Sequence, residues 1–406
     1  MLDCAFMATR PSAAGPAGPS AARRAGQSFG RLRLFWERVT EGIQISELWA
    51  QFQSEARTSY GLYSRDVDWE AVQRGKRWQR PFRAGGALFW AMLMKLSPAR
   101  RVLLLLAVAT LLLFSFQVET HRGSVVFVSV GILSPGVLLL FLLLALELAD
   151  RVTMKRDLEI AREIQRWLVP EKAPETPGLD VAFLSRPANT VAGDYYDVIP
   201  RGASRGGSRA GGPLLLVVAD VAGKSVPAAL LMATFQASLR AIEAGGATLA
   251  EIVRNLNYYV CENSQNGLRF ITAFFAEYDP AGGGIIYTGA GHHPALVRRA
   301  DGRVEELTEG GLPLGIETSA DFPLARTQLA PGELMFIYTD GLVEAEDDAG
   351  REFSRARLAD VVRPCDGSES AARVLAHVTG VLDGFVGAAR QHDDITCMVV
   401  RRTPEQ

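Results

Sequence analysis

The sequence is poor in the residues that build soft-metal or disulfide frameworks. Its four cysteines, Cys4, Cys261, Cys365 and Cys397, are scattered without any CxxC spacing. That excludes a zinc site of the usual kind and leaves no disulfide scaffold, so the soluble part is expected in a reducing compartment. An excess of charge of either sign is also absent. Lys and Arg number 43 against 45 Asp and Glu, a net charge of -2, so no nucleic-acid-binding surface is expected. The first thirty residues lack an apolar core of the secretory type and are rich in Ala, Pro, Gly, Ser and Arg. They read as a disordered tail, 1–30.

Long hydrophobic runs are present, in two places. Residues 102–118 carry no charge, and residues 125–148 carry a single charge, Glu147, with Gly131, Pro135 and Gly136 inside. Runs of this length predict two transmembrane helices over 101–148. Lys95, Arg100 and Arg101 precede the pair and Arg151, Lys155 and Arg156 follow it. The positive-inside rule then puts both flanks in the cytoplasm, in a protein of the inner (cytoplasmic) membrane. Residues 31–100 mix aromatics with charges and are expected to be a helical cytoplasmic region. Residues 149–170 predict a linker helix stopped by Pro170. In it Met154, Leu158, Ala161, Gln165 and Leu168 follow the steps of a short coiled-coil seam, which would make a homodimer; a lone helix packed on its own domain is the other reading.

Residues 171–406 alternate strand and helix signals. Strands are expected at 214–218, 270–278, 285–288, 295–299, 304–307, 334–339 and 395–401. Helices are expected at 225–244, from the Thr248/Glu251 capping box to about 266, at 354–362 and at 368–385. Hairpins with helices grouped apart indicate an α+β fold. Acidic residues recur at the ends of these strands: Asp194 in VAGDYYD, Asp220 in LLLVVADVAG, Asp340 in LMFIYTDGLVEA, and Asp393 with Asp394 before ITCMVV. No His or Cys accompanies them at ligand spacing. Converging oxygen donors of this kind select Mg²⁺ or Mn²⁺, and two such ions would acidify a water and clamp a phosphoryl oxygen. Singly each motif is weak, since Asp-Gly after a strand is commonly a turn.

The passages AREIQRWLVP, AGDYYDV, ADVAGKSVPAALLMA, FITAFFAEYD, GAGHHPALV, PLGI, FIYTDGLVEA and DDITCMVV together resemble the PPM-type metal-dependent phosphatases, in the RsbU/SpoIIE branch. The resemblance implies a β-sandwich flanked by α-helices, with the metals at one end. It carries side-chain ligand roles onto Asp194, Asp220, Asp340 and Asp393, with Asp394 the less favoured neighbour and the Val221 carbonyl beside Asp220. It implies a Mn²⁺- or Mg²⁺-dependent serine/threonine protein phosphatase, holding two ions, acting on a phosphorylated regulatory protein such as an anti-sigma-factor antagonist. A degenerate phosphatase serving as a binding module, or a hydrolase of small phosphate esters, are the alternatives. No Cys-x5-Arg phosphate loop is present. Ala192 stands where the family usually has glycine, and Ser225 likewise. The Gly/Arg/Ser loop at 201–212 reads as a solvated insertion, with a grip on phosphoprotein substrate as the sharper reading, and Lys224 as a surface lysine with a phosphate contact as the sharper reading.

Overall fold

The protein, seen in a computed structural model, is described over residues 96–114, 117–121, 124–128, 135–202, 212–263, 269–365 and 367–403, with isolated positions from 86 to 94. The expected tail, nearly all of region 31–100 and most of the 201–212 loop lie outside the described residues. The chain divides into two compact units, Met1–Glu147 and Leu148–Gln406.

In the first unit, helix α1 (Pro98–Phe114) is followed by a hairpin of β1 (Gln117–His121) and β2 (Ser124–Val128), and then by the start of helix α2 (Pro135–Leu168). Gly136 lies against the Ala107 carbonyl, where a Cβ would stand only 2.8 Å from the oxygen. Arg100 pairs with Glu147 at 3.0 Å. Among the described residues the second expected span, 125–148, is not one continuous helix. Residues 124–128 are strand rather than helix, and α2 starts only at Pro135, a residue suited to a first turn. Charged residues from Glu147 onward then end the apolar stretch. No described helix is long and apolar enough to cross a membrane. Helix α2 runs unbroken across the boundary expected at 149, while the two compact units divide between Glu147 and Leu148.

The second unit has four layers. One sheet joins β4 (Tyr195–Pro200), β5 (Leu214–Val221), β6 (Ile271–Asp279), β7 (Gly284–Ala290) and β10 (Gly310–Gly311), with β11 (Ala325–Gln328) also on β7. The other has the order β3 (Leu179–Arg186), β13 (Ile395–Arg402), β12 (Leu334–Tyr338), β8 (Ala295–Arg298) and β9 (Val304–Leu307). Leu216, Val218, Phe274, Met335, Ile337 and Met398 fill the space between the sheets. Helices α3 (Val226–Ala244) and α4 (Leu249–Asn263) cover the outer face of the first sheet, where Leu215, Val217 and Phe275 meet Phe235 and Leu256. A short helix α5 (Asp340–Val343) follows β12, and α6 (Arg355–Val362) and α7 (Ala371–Val386) cover the second sheet through Phe336, Val374 and Val399. Burial on both faces explains why β5 reads as a continuous apolar run instead of an alternating one.

Local chemistry sets the helix ends. Glu251 accepts from the Thr248 backbone N–H at 2.8 Å, the reciprocal contact expected of a capping box. Ser370 caps α7 by accepting from the Arg373 N–H.

Candidate metal centre

Strand register brings the acidic residues together. Tyr195 pairs with Ala219 at the end of the β4–β5 ladder, so the next residues outward, Asp194 and Asp220, lie opposite each other. In the second sheet Tyr338 pairs with Cys397, and the chain leaves that same end through Thr339 and Asp340 on one strand and Asp393 and Asp394 before the other. Four strand ends from two sheets thus converge at one end of the sandwich.

Asp194 is buried, and Thr339 Oγ1 donates to its Oδ2 at 2.9 Å. Burial first, and the Asp220 carboxylate second, push its carboxyl well above the usual range. Asp220 is raised to about 7, by burial first and then by Asp340, with Asp393 and Asp394 adding to the repulsion. Asp340 is raised by burial and then by Asp393. Glu344, just after α5, is raised by burial and by Asp340. Carboxylates crowded this way favour protonation unless positive charge joins them.

The two adjacent aspartates do different things. Asp394 is buried, and each of its oxygens accepts a backbone N–H, from Ala188 at 2.7 Å and from Gly193 at 2.6 Å. Its carboxylate anchors the 188–193 loop. Asp393 is partly exposed, accepts from the Asp394 N–H, and pairs with Lys224 at 2.9 Å. It faces the cleft.

Gly193 makes the close approach on which the site depends. A Cβ there would sit 3.2 Å from the Val221 carbonyl oxygen and 3.8 Å from Asp220 Oδ1, filling the space beside both donors. Ala192 carries its methyl one residue away from this cradle. Gly341 is equally constrained, with a Cβ meeting the Asp394 carbonyl.

Among the described residues no three His, Cys, Asp or Glu side chains converge as a ready-made ligand group. The donors come instead as two facing pairs, Asp194 with Asp220 and Asp340 with Asp393, with the Val221 carbonyl beside the first. Hard oxygen donors, mutual repulsion and the cradle at Gly193 fit Mg²⁺ or Mn²⁺.

Residues 210–403 match the family of stage II sporulation protein E (SpoIIE). Over those residues the chain carries a PP2C-type phosphatase domain similar to the SpoIIE family. The chain is 28% identical over 252 residues to the phosphoserine phosphatase RsbU of Bacillus subtilis, covering 61% of this chain and 71% of RsbU. It is 27% identical over 286 residues to protein IcfG of Synechocystis, covering 64% of this chain and 43% of IcfG. The SiaA-PP2C domain of Pseudomonas aeruginosa shares the fold, with a TM-score of 0.54 at 24% identity, over 62% of this chain and 98% of that one.

Within this SpoIIE-type domain the described cysteines are poor nucleophiles. Burial pushes the Cys397 thiol up to about 12 and also raises Cys365 and Cys261. His292 is lowered to about 3, by burial first, and His293 stacks on Tyr338.

Two contributors escape a reading of the sequence. Thr339 bonds Asp194 while its Oγ1 accepts from the Thr396 N–H at 2.9 Å, tying the two sheets together. The TD and DDIT wording holds both threonines but nothing that pairs them. Gln165 on α2 donates from Nε2 to the Ala192 carbonyl at 2.8 Å and accepts from the Ala192 N–H at 3.0 Å. Its place on the supposed seam pointed to a partner helix; the structure seats it on the loop before Asp194.

Proposed function

We propose that this chain is a Mn²⁺- or Mg²⁺-dependent phosphatase that hydrolyses phosphoserine or phosphothreonine on a regulatory protein. The observation that carries the reading is the two carboxylate pairs, Asp194 with Asp220 and Asp340 with Asp393, at one end of the two sheets, where burial and then Asp340 raise Asp220 to about 7. Asp194, Asp220, Asp340, Asp393 and the Val221 carbonyl would hold the cations, and Asp394 would hold the loop that carries Gly193 and Asp194. Bound there, divalent ions supply charge neutralisation and an acidified water. The chain's own contribution is to fix the carboxylates, through Thr339 on Asp194 and the Gly193 backbone over Val221. In the overall hydrolysis a water oxygen bonds to phosphorus and the bond from phosphorus to the seryl oxygen breaks, with a proton passing to that oxygen.

An anti-sigma-factor antagonist is the substrate class proposed from the resemblance to the RsbU branch. A site at the cytoplasmic membrane is proposed from the exposed apolar faces of α1 and α2, which include Leu105, Leu112, Leu138, Phe141 and Leu144. A homodimer through α2 is proposed from Ile160, Ile164 and Trp167, exposed at helical spacing.

Phosphate release from para-nitrophenyl phosphate and from a phosphoserine protein, with Mn²⁺ and with EDTA, tests the activity. Turnover that requires Mn²⁺ and disappears in Asp220→Asn and Asp340→Asn is expected. Turnover unchanged in both variants would reject the reading.

A further inference from the structure

We propose that Lys224 grips the substrate's phosphoryl group at the rim of a cavity beside the carboxylates; this rests on the phosphatase reading above. The cavity holds about 330 Å³. Lys224, Gly341 and Asp393 line one part of it, and Leu382, Val386 and Ile395 give it an apolar side. Asp393, a proposed ligand, lines it, which puts the cavity beside the proposed metal centre.

Lys224 Nζ lies 2.9 Å from Asp393 Oδ2 and donates to the His392 carbonyl at 2.8 Å. An ammonium has three donors, so these two contacts leave one for an incoming oxygen. The side chain is 55% exposed, which keeps that donor accessible. A phosphoryl dianion approaching the aspartates of this cleft meets repulsion that a fixed cation offsets.

The loop that carries the lysine is tightly defined. Gly223 has φ 116° and Ser225 has φ 67°. The second is a rare conformation for a residue with a side chain, and such residues persist where the surroundings fix them. The loop leaves β5 directly after Asp220 and Val221 and enters α3, so Lys224 is held at the rim of the cleft by the same turn that presents the candidate ligands.

A lysine that only braced the 391–393 turn would make the same two contacts, and the experiment separates the two roles. Full-length protein with saturating Mn²⁺ is assayed with para-nitrophenyl phosphate and a phosphoserine peptide, and inorganic phosphate is titrated as inhibitor and by calorimetry. Lys224→Gln is expected to raise KM and the inhibition constant of phosphate by about ten- to hundredfold, the loss of one charged hydrogen bond. The Mn²⁺ concentration for half-activation stays within about twofold, and Lys224→Arg recovers part of the phosphate affinity. Phosphate binding unchanged in Lys224→Gln would overturn the proposal, as would a shift confined to the Mn²⁺ requirement. Wild-type protein inactive with Mn²⁺ would count against the phosphatase reading alone, and calorimetry with phosphate would still decide the role of Lys224.

Discussion

Asp393 and Asp394 are neighbours with opposite surroundings, and substitution separates them. Asp394→Asn keeps one acceptor but turns an amide N–H toward a backbone N–H, of Ala188 or Gly193. Leaving that group unsatisfied costs about 1–3 kcal/mol, and thermal unfolding is expected to fall by ~2–4 °C for each of them. Asp393→Asn retains the oxygen that accepts from the Asp394 N–H and removes a charge facing Asp340. Its unfolding temperature without metal is expected to stay level or rise, while Mn²⁺ affinity by calorimetry falls at least about tenfold. Equal losses of stability in the two variants would contradict this division of labour. Asp220 gives a second prediction at the same scale. Its folded carboxyl titrates near pH 7, against about 3.9 in the unfolded chain. Between those values the folded state holds the extra proton, so stability in EDTA falls as pH rises toward 7 and levels off above it. The contribution is ~2–4 kcal/mol, shared with Asp194 to which Asp220 is hydrogen-bonded. Urea unfolding in EDTA at pH 5.5 and 8 is expected to show the wild type weaker at pH 8, with a smaller difference in Asp220→Asn. Mn²⁺ should reverse the trend, because it binds the deprotonated carboxylates.

At the scale of elements, helix α2 and the loop before β4 are joined through one side chain. Gln165 holds both backbone groups of Ala192, two residues before Asp194. Gln165→Ala removes the acceptor of the Ala192 N–H, so that amide is expected to exchange with deuterium about tenfold faster while amides in the β5–β6 ladder keep their protection. Equal exchange in variant and wild type would mean that the loop is held by other contacts. The sequence made Gln165 legible as a helix position but not as a clamp, because heptad spacing shows which residues share a face and not what that face meets. The same limit explains the other differences. Val304–Leu307 and the Thr248 capping box follow from local signals and appear where those signals put them. Ala325–Gln328 reads as ARTQ, which carries little strand preference, and is a strand because β7 offers it a ladder. Asp340, whose Asp-Gly signal suggests a local turn after β12, opens helix α5 because Gly341 allows the chain to run against the Asp394 carbonyl. The acidic positions themselves were readable, since each falls where an apolar strand ends. Their pairing across two sheets was not, because register between distant strands leaves no local mark.

On the scale of the whole molecule, the site depends on four layers holding two sheets in fixed relation. Asp194 and Asp220 belong to one sheet, Asp340 and Asp393 to the other, so anything that lets the sheets slide changes the distance between the two carboxylate pairs. The core between them is apolar and well filled by Phe274, Met335 and Met398, and the covering helices bury a separate core on each side. All three cores lie in Leu148–Gln406, and no residue of the proposed metal centre lies outside that unit. A chain beginning at Leu148 is therefore expected to unfold in one cooperative transition and to bind Mn²⁺ within about threefold of the full-length affinity, as two sites on an intact unit should. The apolar residues before it, among them Leu105, Leu138 and Phe141, would then govern where the protein resides and not whether the site forms. Calorimetry and thermal unfolding of the two lengths compare the folds, and fractionation of cells that express each compares their location. A shortened chain that unfolds broadly, or loses Mn²⁺ binding, would show that the first unit completes the phosphatase domain instead of merely carrying it.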